Sequence, residues 1–430
     1  MDAVLDFVIN EIFGQGAIFL ALIALIGLIL QKKPVSEIVR GTIMTAIGFF
    51  VLNTGTGLIT GSSIDGIISA FNTVMPQAVE TTSVDIGGEY GTEIGIVMIL
   101  AFLVNILFAR FTKWKTIFLT GHMFYWFPYV FIAAGVGAGL SGAPLIALAA
   151  IFTSLYFIIS PNLIRPFVTK ATGDDSFTLG HPTTGLSVIS GLVARAVGDP
   201  SHSTEDIKVP KSLGFLREVS ITGSILVALS YVAMFFVLQA NGYDPAEVWG
   251  YAGGTTGIFT YVFTHAVYFG VGMTVMMQGV RMLIAEIVPA FQGIAEKIVP
   301  GAIPALDCPV IFPYGPNALI IGFIVALITS IITILVTTAM GIFPTVVIPL
   351  VTTCFFEIGA ASIICNAQGG VRGTIIGAAL CGVLAVLLVG FGAYFFNNTI
   401  QDWMLVYGGQ DFDIWGMICG AVARLIAGVA

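Results

Sequence analysis

Apolar runs long enough to cross a bilayer recur along the whole chain, and they leave few folds open. The runs are Gly16–Leu30, Thr42–Ile59, Ile94–Phe108, Thr116–Ala138, Pro144–Ile164, Val219–Gln239, Thr255–Met277, Ala318–Met340, Pro344–Cys365 (expected to be broken by Glu357, Gly359 and Asn366), Thr374–Phe396 and Ile414–Ala430. About twenty apolar residues suffice for one helical crossing, and inside lipid only helices or closed barrels satisfy their own backbone polar groups. Charged residues make up 9% of the chain and hydrophobic ones 57%, against roughly 25% charged in soluble domains. The chain therefore reads as an all-α polytopic membrane protein forming a single integral-membrane domain over residues 1–430. Its 51 Gly and 18 Pro suit helices that pack closely and break deliberately. The formal charge of −8, with no basic patch, implies no nucleic-acid partner. The five Cys lie in or beside apolar segments without a CxxC pair and read as reduced, packed thiols.

Basic residues sort the connecting loops to two sides. Lys32, Lys33, Arg40, Arg110, Lys113, Lys115, Arg165, Lys170, Lys208, Lys211, Arg217, Arg281 and Arg372 form one set, and loops 61–93, 241–254 and 397–413 contain no Lys or Arg. The positive-inside rule makes the first set cytoplasmic, the N-terminus external and the C-terminus cytoplasmic. About eleven spans plus two hairpins meet that parity. The first sixteen residues carry Asp2, Asp6 and Glu11 and no base, which does not fit a cleavable leader.

The stretch Gln278–Phe323 departs from simple spanning. Val280, Leu283, Ile284, Ile287, Val288, Phe291, Ile294 and Ile298 give it an amphipathic start, expected as a surface helix. Breaks at Pro300-Gly301, Pro309, Pro313 and Pro316 then surround Asp307. Irregular backbone at membrane depth must face protein or a watery cavity, so the expectation is a re-entrant hairpin with Asp307 at its tip. An intramembrane carboxylate is a site candidate by default; the alternative is a partner for a helix N-terminus or for Arg281. His122 and His181 are candidates for the same site, against satisfied packing roles. Trp126 can be a flat platform for a sugar ring or simply packing. His202 reads as solvated, His265 as a helix–helix contact, and Glu286 as paired or facing water. A faint internal repeat is present: Gly41 and Gly55 share their spacing with Gly279 and Gly293, and Phe127-Pro128-Tyr129 recurs as Phe312-Pro313-Tyr314. His122 and Asp307 each precede their tripeptide by five residues, which places them at matching positions of two halves, approximately 14–200 and 219–396, followed by a last helix near 414–430.

Several blocks together resemble the membrane (C) subunit, EIIC, of the ascorbate family of the bacterial phosphoenolpyruvate-dependent sugar phosphotransferase system. They are Gly41-Thr42-Ile43 with Gly48-Phe49 and Gly55-x-Gly57, Leu119-Thr120-Gly121-His122, Phe177-Thr178-Leu179-Gly180-His181, and above all Gln278-Gly279-Val280-Arg281-Met282, Ala285-Glu286, Pro300-Gly301-Ala302, Ala305-Leu306-Asp307-Cys308 and Pro316-Asn317-Ala318. The resemblance implies a homodimer in the bacterial inner membrane, with eleven spans per protomer in two inverted repeats. It also implies a core domain that carries the sugar by elevator-like movement and a dimerising V-motif scaffold. It maps substrate contacts onto His122, Met123, Phe124, Tyr125 and Trp126, onto His181 and Pro182, onto Asp307, and onto Thr81 and Thr82 in the outer loop. In the ascorbate transporters a Gln stands at the positions of Trp126 and Pro182, which leaves the identity of the sugar open.

No P-loop, CxxC metal site or nucleophile elbow is present, so no cofactor, metal or catalytic residue is expected. Phosphorylation would come from the cytoplasmic EIIB and EIIA partners, with the 110–115 and 165–217 loops as docking candidates. An ion-coupled sugar symporter using Asp307 or Glu286 is the alternative, and a pore or structural membrane protein a more distant one.

Overall fold

The computed structural model describes residues 7, 11–12, 15–74, 84–207, 215, 218–252, 254, 257–343, 347, 349–396, 398–400 and 408–428. The main elements in chain order are α1 (Gly16–Leu30), α2 (Val35–Gly57), a π-helical turn (Leu58–Ile64), α3 (Asp65–Val74), α4 (Gly91–Phe111) and β1 (Thr116–Phe118). Next come α5 (Gly121–Gly137), α6 (Gly142–Thr172), β2 (Thr178–Leu179), α7 (Thr184–Val197), α8 (Val219–Ala240) and α9 (Ile258–Lys297). The chain finishes with β3 (Ile303–Leu306), a 3-10 segment (Cys308–Tyr314), α10 (Pro316–Ala339), α11 (Val351–Phe396) and α12 (Asp411–Ala427). Among the described residues, seven helices are long and apolar enough to cross a membrane, with Gly16–Leu30 and Thr184–Val197 as shorter apolar helices. The chain is thus a helical, multi-pass membrane protein.

Several boundaries differ from the sequence reading. Residues 116–118 leave the expected 116–138 span to form β1, and the helix begins only at Gly121. The amphipathic start of Gln278–Phe323 is no separate surface helix. It continues the preceding span as the 40-residue α9, because its glycine face is packed along its length against α1 and α2 rather than released to an interface. Asp307 stands where β3 ends and the 3-10 segment begins, so a strand forms one side of the turn that carries it. Glu357, Gly359 and Asn366 do not interrupt α11. The break lies at Gly369 (φ −149°) and Gly370 (φ +60°); the backbone angle of the second favours glycine, and at the first a Cβ would run into the Ala194 carbonyl. The final helix starts at Asp411, three residues earlier than expected.

Two sets of helices pack internally. The first is α1, α2, α3, α8 and α9; the second is α4 to α7 with α10, α11 and α12, built around the strands. The first set is held by close backbone approach. Gly48 of α2 lies against the backbone of Leu283, Gly55 against Gly272 and Met276, and Gly279 of α9 against Leu52. Gly27 of α1 meets the backbone of Ala290 and Gly293, and the Gln31 side chain donates to the carbonyls of Pro289 (2.9 Å) and Ala290 (3.2 Å). In lipid, where burying apolar surface gives little, such small-residue contacts supply van der Waals packing. Glu286 pairs with Arg40 at 2.8 Å on the rim of the same interface.

The second set contains the irregular backbone. The three strands form a parallel sheet of order β1-β3-β2, with Thr116 opposite Ile303 and Leu179 opposite Leu306. A sheet edge inside an apolar protein must find partners. Buried Asn105 of α4 supplies them for β1: its amide donates to the Thr116 carbonyl (3.2 Å), and its Oδ1 accepts from the Phe118 N–H (2.9 Å). On the β2 side, the Thr178 hydroxyl donates to the Pro161 carbonyl at 3.2 Å.

Candidate functional site

Each strand hands the chain to one chemically active side chain. His122 lies in the first turn of α5, four residues beyond β1. His181 follows β2 by two residues, and Asp307 follows β3 directly. Because the strands run parallel with β3 in the middle, all three emerge at the same end of the sheet. His181 Nε2 lies 3.3 Å from Asp307 Oδ1 and His122 Nδ1 3.7 Å from Oδ2. Oδ1 also accepts the Cys308 N–H at 2.7 Å, capping the 3-10 segment. The sequence alternative of a helix-end role for Asp307 is therefore realised together with the cluster.

The cluster opens into a cavity of about 280 Å³, at the small end of ligand pockets, which run from roughly 300 to 1,000 Å³. One wall is α2, through Leu52, Asn53 and Thr56, from the first helix set. The others come from the second set: His122, Met123 and Trp126 of α5, His181, Asp307 with Pro309, Thr352, Phe356 and Glu357 of α11, and Gln410 with Phe412 at the start of α12. Neither Lys nor Arg is among these lining residues. The cavity thus offers two carboxylates, two imidazoles, amide and hydroxyl side chains and an indole face, a combination suited to a compact polyhydroxylated solute.

Other expected site residues sit differently. Phe124 is fully buried among Phe19, Phe102, Phe118 and Phe157, with ring centroids 5.0–5.6 Å away, and does not reach the cavity. Tyr125 points to Trp126 and Tyr129, at 5.1 and 5.9 Å between ring centroids. Pro182 is buried and acts through its carbonyl, which accepts the Asp411 N–H at 3.0 Å. Thr81 and Thr82 lie outside the described residues. The turn that carries His181 is tied down further. The Tyr156 hydroxyl lies 3.0 Å from the His181 carbonyl and 2.7 Å from Asp411 Oδ2, while Asp411 Oδ1 accepts the Gly185 N–H at 2.7 Å. As site residues, sequence reasoning passed over Asn53 and Glu357, inside apolar runs, and Gln410, in the 397–413 loop. His265 hydrogen-bonds within its own helix, at 2.8 Å from the Tyr261 carbonyl, and its ring meets Tyr231 of α8 at 5.8 Å between centroids.

The two imidazoles and the carboxylate could also hold a divalent ion, since one donor atom from each lies within 4.8 Å of the others. The docking candidates divide as well. Lys115 donates to the Ala109 carbonyl at 2.8 Å and so closes the end of α4. Lys113, Trp114, Asn162, Arg165 and Asp175 instead line an open surface hollow of about 700 Å³.

A multi-pass helical protein with a polar, solute-sized cavity between two helix sets belongs to the class of membrane carriers. The chain is a member of the PTS system sugar-specific permease component family (EIIC-GAT), whose model matches residues 11–423. It is also similar to the ascorbate-specific PTS system EIIC component of Mycoplasma pneumoniae, at 25% identity over 457 aligned positions covering 94% of this chain and 69% of the relative. It is accordingly a phosphotransferase-system sugar permease, a transport subunit of a multi-pass type.

Proposed function

We propose that this permease binds L-ascorbate from outside the cell, carries it across the inner membrane and presents it to the cytoplasmic EIIB partner, itself recharged by EIIA. The observation that carries the reading is the placement of Asp307 between His122 and His181 in a cavity walled by both helix sets. The second set, with the strands and most of the cavity, is the moving core. The first set, with its glycine-mediated packing, is the V-motif scaffold that forms the homodimer. Movement of one past the other carries the sugar away from the α2 wall, as an elevator does. The protomer is organised as two inverted repeats with eleven spans, N-terminus outside and C-terminus cytoplasmic. Met123 and Trp126 complete the sugar contacts from α5, and Thr81 and Thr82 belong to them from the outer loop.

Equilibrium binding of L-ascorbate and of a panel of hexoses and polyols to the purified protein tests the substrate, with Asp307→Ala as control. Ascorbate binding that is lost in the variant supports the assignment. Selective binding of another sugar replaces ascorbate and makes Trp126 and Pro182 the specificity positions. In proteoliposomes supplied with EIIB and EIIA, phosphorylated sugar inside is the expected product, and unmodified sugar driven by an ion gradient would overturn the phosphotransferase route. Lys113→Glu, in the open hollow, is expected to slow phosphorylation while leaving sugar binding intact.

A further inference from the structure

Glu357 is a second carboxylate in the cavity wall. Its side chain is 6% exposed, on a turn of α11 that also presents Thr352 and Phe356 to the same space. Thr183, two residues beyond His181, donates its hydroxyl to the Glu357 carbonyl at 2.7 Å and fixes this turn beside the cluster. Oε1 lies 4.0 Å from His181 Nδ1, beyond hydrogen-bond reach. Among the described residues, Oε2 and His181 Nδ1 are both buried without a hydrogen-bond partner. A buried polar atom left unpaired costs about 1–3 kcal/mol, and groups like these persist where a ligand completes them. No donor among the described residues reaches Oε2, and a hydroxyl carried by a ligand in the cavity supplies one.

We propose that Glu357 is a direct substrate contact whose Oε2 accepts a hydrogen bond from a sugar hydroxyl, on the far side of His181 from Asp307. The inference rests on the cavity being the sugar site. It adds a specificity rule. With one carboxylate on each side of the His181 ring, the cavity selects solutes that present hydroxyl donors at two separate positions, and discriminates against analogues in which one is removed or methylated.

The experiment uses the full-length protein and measures affinity for L-ascorbate, or for whichever sugar of the panel binds, and for analogues each deoxygenated or methylated at one hydroxyl. The wild type is expected to lose roughly ten- to hundredfold in affinity for two of these analogues. Glu357→Gln should bind the parent sugar weakly and no longer distinguish one of the two, while still distinguishing the other; Asp307→Asn should show the converse. Parent affinity unchanged in Glu357→Gln, or discrimination identical to the wild type, overturns the proposal. A second readout needs no variant: modification of Glu357 by an apolar carbodiimide, followed by mass spectrometry, should fall as the sugar saturates the wild type. Labelling unaffected by saturating sugar also overturns it. A wild type that binds none of the sugars removes the sugar-site reading itself, an outcome distinct from a working wild type beside an unaffected Glu357→Gln.

Discussion

His181 Nε2 lies 3.3 Å from Asp307 Oδ1, across the C-terminal ends of the neighbouring strands β2 and β3. The contact joins segments more than a hundred residues apart. Asp307→Asn keeps the size of the side chain and an oxygen to cap Cys308 while removing the charge. Sugar affinity is expected to fall roughly ten- to hundredfold, the range for hydrogen bonds to a charged group, with little change in thermal stability. Binding and melting curves on the same preparation check both parts.

Asn105 satisfies the buried outer edge of β1. Asn105→Leu fits the apolar setting of α4 better by hydropathy, yet it orphans the Phe118 N–H and the Thr116 carbonyl. A loss of about 2–4 kcal/mol is expected from two buried groups left unpaired. Unfolding in detergent should show a large drop in the midpoint, and sugar affinity should suffer because His122 is positioned from this strand.

The α2–α9 contact allows no Cβ at Gly279, where the backbone of Leu52 already occupies the space. Gly279→Val is expected to destabilise by about 3 kcal/mol or more, as overpacking against rigid backbone does. Gly57, at the end of α2 with nothing within 4 Å of the position a Cβ would take, is the contrast. Gly57→Ala should change stability by no more than about 1 kcal/mol. Thermal midpoints of the two variants make the comparison.

Outside the spans, Arg165 meets Asp175 through two hydrogen bonds of 2.6 and 2.8 Å. The guanidinium holds the Asp175 carboxyl below its ordinary range. A depressed folded value stabilises the fold above the unfolded value, about 3.9, and that contribution is lost as the pH falls through the folded value. Both groups are partly solvated, so the effect is about 0.5 kcal/mol. The stability gap between wild type and Asp175→Asn should be present at pH 7 and close below about pH 4. A gap that widened on acidification would contradict the pairing.

Asp307, His122 and His181 could be picked out from the sequence because titratable groups stand out against apolar runs. Glu357 carried the same mark, yet in sequence it resembled a helix interruption next to Gly359. Asn105 carried a weaker one, since a single amide in a span has many uses, and Gln410, in a polar loop, carried none. The strands were not legible at all. Two to four residues are too few to show an alternating pattern, and Thr178-Leu179 looks like any piece of an apolar run. The length of α9 was misjudged for a related reason: an amphipathic face can turn to a membrane surface or to another helix, and only the glycine contacts with α1 and α2 decide which.

Hydropathy by itself determined that the chain crosses the membrane repeatedly as helices, because lipid leaves an apolar segment of that length few other ways to satisfy its backbone. It also determined which polar side chains would be costly enough in that setting to require a use. The tertiary structure alone decided how three of them meet, with Asp307 between the two imidazoles. Their meeting depends on parallel pairing between Thr116–Phe118, Thr178–Leu179 and Ile303–Leu306, and pairing between such distant segments is set by what the intervening helices pack against, not by any local property of the strands.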